Sequence, residues 1–263
     1  MDNQYKTIKY SLDEEGIGMV TLNRPKALNA LNLDMFQELD NLFNELIEAS
    51  RVRVLIITGE GDKAFAAGTD IKMMKGLEVS EVMDRTELVK RTQGKIEEFP
   101  VPVIAAINGL ALGGGCEVAM ACDIRISTTS AKFGQPEINL GIIPGGGGTQ
   151  RLARLIGISR AKELIYTGDI IDAKRAYELG LVDMVVAPDE LMNEAKGLAS
   201  KIAAKSIPIM KLAKASINYG YSMDLDRGLK FEMKCFRACF ETDDHLEGMQ
   251  AFTERRKPVF KDR

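Results

Sequence analysis

Residues 101–128 read VPVIAAINGLALGGGCEVAMACDIRIST, and this stretch decides the fold class. The β-branched run 101–107 has few polar residues, which is typical of a strand covered on both faces. The glycine triplet 113–115 ends this run, and the apolar segment 116–122 has helical length. A second strand is predicted at 123–128. The order of strand, glycine turn, helix and strand indicates an α/β protein.

The same alternation extends on both sides of this stretch. A helix is predicted behind the N-cap Asn32, with Phe36, Leu39, Phe43 and Leu46 at helical spacing. Further strands are predicted at residues 5–10, 17–22, 52–58 and 181–186, and helices are expected to end at Gly157, Gly168 and Gly180. The sequence therefore predicts helices that cover a mainly parallel sheet.

Two other regions have their own character. Residues 61–71 are rich in small residues, and we expect an irregular, functional loop there. Residues 187–263 are predicted to be helical, with a long helix at 223–241. Its apolar stripe exceeds what a lone surface helix needs and favours a subunit interface; its members are Phe231, Cys235, Phe236, Cys239 and Phe240. We predict two regions, a core at 1–200 and a helical, oligomerising region at 201–263.

Composition limits the classes of function. Lys and Arg total 35 against 38 Asp and Glu, so the net charge of −3 gives no overall basic field for nucleic acid or an anionic membrane. Proline and glycines break the apolar stretch 101–116 short of a membrane span. The four cysteines form no metal-site pattern, and with no apolar leader in residues 1–16 we expect a reduced, cytoplasmic protein.

Three glycine-marked segments carry the motifs: AFAAGTDIK at 64–72, GLALGGGCE at 109–117 and FGQPEINLGIIPGGGGTQ at 133–150. With NRPKALNAL at 23–31 and AFTERRKPVF at 251–260, the chain resembles the crotonase superfamily and, within it, the enoyl-CoA hydratases. This resemblance implies a spiral of repeated ββα units followed by a helical trimerisation region. It also implies trimers that pair into a hexamer, and hydration of 2-enoyl-CoA thioesters without a cofactor.

The glycine triplet predicts a site for negative charge. A strand that runs into glycines and then into a helix collects free backbone N–H groups at the helix start. Such donors stabilise the enolate that forms when a nucleophile attacks a conjugated thioester. The resemblance assigns the two donors to the N–H groups of Thr69 and Gly114. Thr69 replaces an alanine expected in hydratases. The alternative for the triplet is a tight turn for close packing.

Two glutamates are the candidate acid and base. Hydration takes a proton from water and delivers one to the α-carbon, and two carboxyls can share this work. The resemblance nominates Glu117 to activate the water and Glu137 to protonate the α-carbon, with the backbone of Gly145 helping to place the water. Each residue has an alternative interpretation. Glu117 could be a first-turn glutamate favoured by the helix dipole, Glu137 a solvated loop carboxylate, and Gly145 part of a flexible turn.

The resemblance also nominates a coenzyme A site. Its residues in one subunit are Lys26, Ala30, Lys63, Ala67, Ile71 and Lys72, and those reaching over from a neighbouring chain are Phe252 and Arg255. Arg255 replaces an expected lysine, which keeps the charge but changes its geometry. For each lysine, the alternative is a solvated surface residue.

Other functions stay open. An enoyl-CoA isomerase shuttles one proton and usually needs one carboxylate, so the retention of two glutamates favours hydration. The further alternatives are an RNA-binding relative, against which the balanced charge argues, and a noncatalytic assembly module. His245 is the only histidine and is expected at the surface beside Asp243 and Asp244. A single histidine excludes Ser–His or Cys–His catalysis and argues against a His-ligated metal.

Overall fold

A computed structural model describes residues 5–263, apart from the side chain of Met73. The strands are β1 (Ile8–Leu12), β2 (Ile17–Leu22), β3 (Val54–Gly59), β4 (Ala64–Ala66), β5 (Val103–Ile107), β6 (Leu110–Leu112), β7 (Ile124–Thr128), β8 (Lys132–Gly134), β9 (Ile170–Asp172) and β10 (Met184–Val186). The helices are α1 (Leu33–Ala49), α2 (Val79–Glu97), α3 (Gly114–Ala121), α4 (Gly148–Ile156), α5 (Ile158–Thr167), α6 (Ala173–Leu179), α7 (Leu191–Ala203), α8 (Ile207–Tyr221), α9 (Leu225–Cys239) and α10 (Asp243–Thr253).

Two sheets run side by side through the core. The larger has the order β1-β2-β3-β5-β7-β10 and is parallel except for the β1–β2 hairpin. The smaller has the order β4-β6-β8-β9, with only β9 antiparallel. From β3 to β8 consecutive strands alternate between the two sheets, and a helix follows each of these pairs, as in β3-β4-α2, β5-β6-α3 and β7-β8-α4. This is the predicted spiral of ββα units, and the predicted α/β class is confirmed.

Helix α1 covers one face of the larger sheet. It begins where the sequence predicts, because the side chain of Asn32 accepts a hydrogen bond from the N–H of Met35 at 3.1 Å. The predicted stripe is buried, and Phe43 also meets Phe99 edge-on at 5.4 Å between ring centroids. Burying each such side chain contributes about 1.5–3 kcal/mol. Helix α1 is thus held by apolar packing.

Helix α7 covers the other face. Leu191, Ala195, Ala199 and Ala203 pack on a second apolar cluster with residues of β3, β5 and β7. Strands β3 and β5 are buried along their whole length, as expected for strands between two layers. The predicted boundary at residue 201 falls inside α7, which belongs to the core. A division at helix ends would lie between Ala203 and Ile207.

The C-terminal helices are tied to this core by a polar contact. Arg53 donates to the carbonyl oxygens of Ala203 at 2.7 Å and Lys205 at 2.9 Å, and it pairs with Asp262. Asp262 also accepts from the N–H of Ile207 at 2.9 Å. The end of the described chain is therefore anchored beside the start of α8.

Some sequence predictions need correction. Residues 61–71 are not wholly irregular, since they contain β4, and β6, β8 and β9 are also absent from the prediction. Strand β1 begins at Ile8 rather than residue 5, and the long helix is α9, two residues shorter at each end than predicted. His245 is half-buried against Phe240, with 4.5 Å between ring centroids, rather than at the surface.

No helix between residues 5 and 263 is long and apolar enough to cross a membrane. The expectation that residues 1–16 hold no leader rests partly on residues 1–4, which lie outside the described residues.

Candidate active site

The first turn of α3 is the centre of the site. Strand β6 delivers the chain to Gly113, whose φ of +48° is a conformation that favours glycine. All eight residues of α3 are buried. In the described part of the chain the N–H of Gly114 has no hydrogen-bond partner, as expected for the first N–H groups of a helix. A free donor therefore points out of the start of a buried helix.

Thr69 brings a second free donor to the same place. Its loop runs beside residues 28–31: the N–H of Leu31 donates to Gly68 at 2.8 Å and that of Asp70 to Leu31 at 2.9 Å. This pattern leaves the N–H of Thr69 unpaired within the described residues. A Cβ built on Gly114 would lie 3.4 Å from the nitrogen of Thr69. The two predicted oxyanion donors are therefore neighbours.

Glu117 lies one turn into α3 and is only 3% exposed. Its Oε1 accepts from the N–H groups of both Gly146 and Gly148, each at 2.8 Å. Burial raises the pKa of Glu117, although these two hydrogen bonds and the charge of Arg151 act in the opposite direction. Glu117 is thus a buried carboxyl, and its Oε1 is fixed by two hydrogen bonds.

Glu137 approaches the same helix start from the 3-10 turn Pro136–Leu140. Its Oε1 would lie 2.7 Å from a Cβ on Gly113, so glycine is needed there to make room. Burial, aided by the charge of Glu117, raises the pKa of Glu137 to about 7. The amide of Gln135, oriented with its nitrogen towards this carboxyl, donates to both oxygens at 3.2 Å, which favours the ionised form and acts against the effect of burial. Burial thus keeps Glu137 protonated to a higher pH than an ordinary glutamate.

Gly145 takes a different place from the neighbouring glycines. It is exposed, and a Cβ built on it meets nothing within 4 Å. The backbone donors that reach Glu117 are those of Gly146 and Gly148, which the sequence reasoning did not single out. A role for the Gly145 backbone towards a bound water stays a prediction.

Two adjacent loops carry most of the predicted coenzyme residues. Lys26 and Ala30 lie in the first loop, and Ala67, Ile71 and Lys72 lie in the second. The loops are joined by a hydrogen bond from Ala67 N–H to Leu28 at 3.0 Å and by the Arg24–Asp70 ion pair at 3.1 Å. Lys63 is exposed just before β4. The structure thus groups five of these six residues on one surface.

The two remaining residues lie elsewhere in the fold. Phe252 is 86% exposed in α10, and Arg255 follows that helix with a φ of +57°. Helices α8, α9 and α10 border an apolar cleft of about 1350 Å³ against residues 120–125, and Phe252 lines it. It stays a prediction that Phe252 and Arg255 contact the coenzyme bound to a neighbouring chain.

Two further side chains next to Glu117 were missed by the sequence reasoning: Arg151, and Gln93, whose Oε1 accepts from Arg151. Gln93 lies within the amphipathic helix α2, where no motif marks it. Arg151 directly follows the quoted segment 133–150 and could have been found from that position alone. Among the described residues no three His, Cys, Asp or Glu side chains lie where they could hold a metal ion.

Comparisons with known proteins agree with this geometry. The enoyl-CoA hydratase/isomerase family model matches residues 13–263. A short-chain-enoyl-CoA hydratase of Clostridium acetobutylicum is 49% identical over 94% of this chain and 95% of its own length, and a crotonyl-CoA hydratase of Syntrophomonas wolfei is 48% identical over the same shares. The crystal structure of an enoyl-CoA hydratase from Bacillus anthracis has a TM-score of 0.95 at 44% identity, covering 98% of this chain and 100% of that one.

The spiral fold, with free N–H groups and two carboxyls around the start of one helix, is that of the crotonase superfamily. Within that class, the chain belongs to the enoyl-CoA hydratase/isomerase family. The resemblance inferred from the sequence is therefore confirmed.

Proposed function

We propose that the protein is a short-chain enoyl-CoA hydratase, which reversibly adds water to trans-2-enoyl-CoA and gives 3-hydroxyacyl-CoA. The observation that carries the proposal is the position of Glu117 and Glu137 around a helix start whose N–H donor is free. The names of the Clostridium and Syntrophomonas relatives support a short acyl chain.

The site residues divide the chemistry as follows. Ionised Glu117 takes a proton from water, and the oxygen of that water bonds to the β-carbon. The π electrons move to the thioester oxygen, where the N–H groups of Thr69 and Gly114 stabilise the enolate. Glu137, protonated near neutral pH because its pKa is about 7, gives its proton to the α-carbon. These steps leave Glu117 protonated and Glu137 ionised, so Glu117 releases one proton to solvent and Glu137 takes one up before the next turnover. The net change is the addition of one water molecule.

Hydration fits this site better than isomerisation. An isomerase moves one proton and needs one carboxylate, whereas this site buries a carboxyl on α3 and raises the pKa of a second one. An RNA-binding role remains the alternative outside enzymology, and affinity for single-stranded RNA that falls steeply with salt would favour it.

Kinetics on crotonyl-CoA test the proposal. The absorbance of the conjugated thioester falls as water adds, and wild-type protein should consume it. Glu117→Gln and Glu137→Gln should each lower kcat by about a hundredfold or more, with a much smaller change in KM. The double variant should lose far less than the product of the two single losses. Glu163→Gln, an exposed change on α5, is the control and should retain wild-type rates. A fully active Glu137→Gln enzyme would contradict the mechanism.

The proposal also covers the coenzyme site, the assembly and the cellular location of the enzyme. The two lysine-bearing loops bind the coenzyme A moiety, with Phe252 and Arg255 of a neighbouring chain, and no separate cofactor is needed. Residues 1–200 form the catalytic core, and residues 201–263 assemble trimers that pair into a hexamer. The exposed apolar side chains of α9 and α10 support this assembly. The four free cysteines agree with a reducing cytoplasm, where the reaction would serve fatty-acid β-oxidation.

A further inference from the structure

Gln93 is a fully buried amide with one end unsatisfied. It lies on α2 with no exposed surface, and its Oε1 accepts from Nη1 of Arg151 at 3.1 Å. Its Nε2 makes no hydrogen bond of good geometry among the described residues, yet the amide lies near enough to Glu117 to lower the pKa of that carboxyl. An unsatisfied buried donor is destabilising, and native structures contain few of them. Its presence beside a buried carboxyl therefore calls for a functional reason.

The unused nitrogen of Gln93 faces the unused oxygen of Glu117. Oε1 of Glu117 is occupied by the N–H groups of Gly146 and Gly148. Nε2 of Gln93 and Oε2 of Glu117 would lie 2.7 and 2.4 Å from the same point, a Cβ built on Gly146. The free donor and the free acceptor thus share one small space at the side of the site.

Arg151 fixes the direction of this amide. Its side chain is 17% exposed, and Nη1 donates both to Oε1 of Gln93 and, at 2.8 Å, to the carbonyl oxygen of Gly146. Nε and Nη2 donate to Glu97 at 3.1 and 2.6 Å. Because a guanidinium has only donors, the oxygen of Gln93 must face Arg151 and its NH₂ group must face Glu117. The same side chain fastens the loop that donates to Glu117.

The part of helix α2 around Gln93 is held against helix α1. Asp40 of α1 accepts from Arg91 at 3.1 Å and pairs with Lys95 at 2.6 Å. The hydroxyl of Thr92 donates within α2 to Leu88 at 2.8 Å. The residues that make these contacts lie on either side of Gln93 in the sequence and hold this part of α2 against α1.

We propose that Gln93 and Arg151 are positioning residues for Glu117: Arg151 orients the Gln93 amide and the Gly146 loop, and the amide NH₂ favours the ionised carboxylate at Oε2. The consequence for catalysis rests on the proposed hydratase function. The effect on the pKa of Glu117 does not depend on that function.

The charged and titratable groups around Glu117 act in both directions. Arg151 of α4 favours the ionised carboxylate, and Glu97 of α2 offsets part of that charge through its ion pair with Arg151. Glu137 is a like charge when ionised, while the buried thiol of Cys116 stays neutral because burial raises its pKa to about 12. Against the cost of burial, the amide of Gln93 is one of few groups that keep Glu117 ionised.

Replacing Gln93 by Met separates this role from a structural one. Gln93→Met keeps the volume and removes the donor, so the pKa of Glu117 should rise. Because the base must be ionised, the acidic limb of the kcat–pH profile should move up by about one pH unit, since a hydrogen bond to a charged group contributes that much or more. At a pH well below this limb kcat should fall by up to about tenfold relative to the wild type, the two rates should converge as the pH rises above the limb, and KM should stay within about twofold. Thermal stability should fall little, because Met fills the same volume and Arg151 keeps its bonds to Gly146 and Glu97.

Three matched variants complete the experiment. Thr92→Val removes the neighbouring buried hydrogen bond of α2 and should lower Tm without moving the acidic limb. Arg151→Met should move the limb as far as Gln93→Met or farther, while Arg151→Lys should lie closer to the wild type because it keeps the charge. An unmoved limb in Gln93→Met, or a limb that moves equally in Thr92→Val, would overturn the inference.

A measurement without substrate keeps this inference apart from the proposed function. The carboxyl band of Glu117 can be followed by infrared difference spectroscopy during a pH titration, with Glu117→Gln identifying the band. Its midpoint should be higher in Gln93→Met than in the wild type. If wild-type protein does not hydrate crotonyl-CoA, the proposed function fails while this titration still decides the inference. An unchanged midpoint refutes the inference whatever the activity.

Discussion

Oγ1 of Thr69 would lie 2.5 Å from a Cβ on Gly114. The hydroxyl therefore fills the room that any side chain at position 114 would need. The N–H groups of the same two residues are the proposed oxyanion donors, so a change in one side chain alters the access to both.

Gly114→Ala should damage catalysis more than stability. The added methyl would press on Thr69 and enter the space between the two N–H groups, where loss of one donor typically costs about 10²–10³ in kcat. Steady-state kinetics on crotonyl-CoA, with circular dichroism to verify folding, measure this loss. Gly94→Ala on α2, where a Cβ meets nothing within 4 Å, is the control and should leave kcat unchanged.

Thr69→Ala should partly rescue that variant. Without the hydroxyl there is space for the methyl group at position 114, so kcat of the double variant should be higher than that of Gly114→Ala alone. The coupling in a double-mutant cycle measures the contact. Strictly multiplicative losses would contradict the shared space.

Glu137 should cost the protein stability above neutral pH. Its folded pKa of about 7 lies above the value of an unfolded glutamate, so the folded state binds more protons between about pH 4.5 and 7. The free energy of unfolding should therefore fall as pH rises through that window. Glu137→Gln should be more stable than the wild type at pH 8, by on the order of 1 kcal/mol after allowance for solvent screening, and no more stable at pH 4.5. Urea unfolding at the two pH values tests this.

The assembly should depend on the exposed apolar face of α9. Static light scattering should give the mass of a hexamer, and Met233→Glu should shift the population to smaller species by placing a charge on that face. Lys234→Glu introduces the same side chain at the next position and should not change the mass. A monomeric wild type at micromolar concentration would remove both the hexamer and the contact from Phe252 and Arg255.

Chelators should leave the activity intact. Backbone donors stabilise the enolate in the proposed mechanism, so no Lewis acid is required. Activity before and after dialysis against a chelator measures this. A loss that added metal restores would contradict the metal-free mechanism.

The sequence predicts long elements and motifs well. Asn32 caps α1 as expected, and Gly157, Gly168 and Gly180 end helices α4, α5 and α6. The three-residue strands β4, β6, β8 and β9 were missed because so short a segment has no periodicity. Ala64–Ala66 pairs only because its neighbours in space supply the partner strand.

The site was predictable to the extent that it lies on motifs. Thr69, Gly114, Glu117 and Glu137 lie on glycine-marked segments and meet around the start of α3. Gln93 carries no such mark, since its importance comes from a tertiary contact with a residue 58 positions away. Distances of this kind are set by packing and cannot be read from local pattern.

The close passage of backbone beside β4 bears on how this enzyme could evolve. A Cβ on Gly109 would lie 2.3 Å from the carbonyl oxygen of Lys63, and one on Gly115 would lie 2.0 Å from that of Ala66. Both oxygens belong to the backbone at the two ends of β4 and cannot swing aside as a side chain would, so a side chain at either position should strain the small sheet. Gly197 meets nothing within 4 Å and can accept a side chain, whereas Gly61 has the room but a φ of +82° that favours glycine. Laboratory libraries aimed at new acyl substrates should therefore leave codons 109 and 115 untouched.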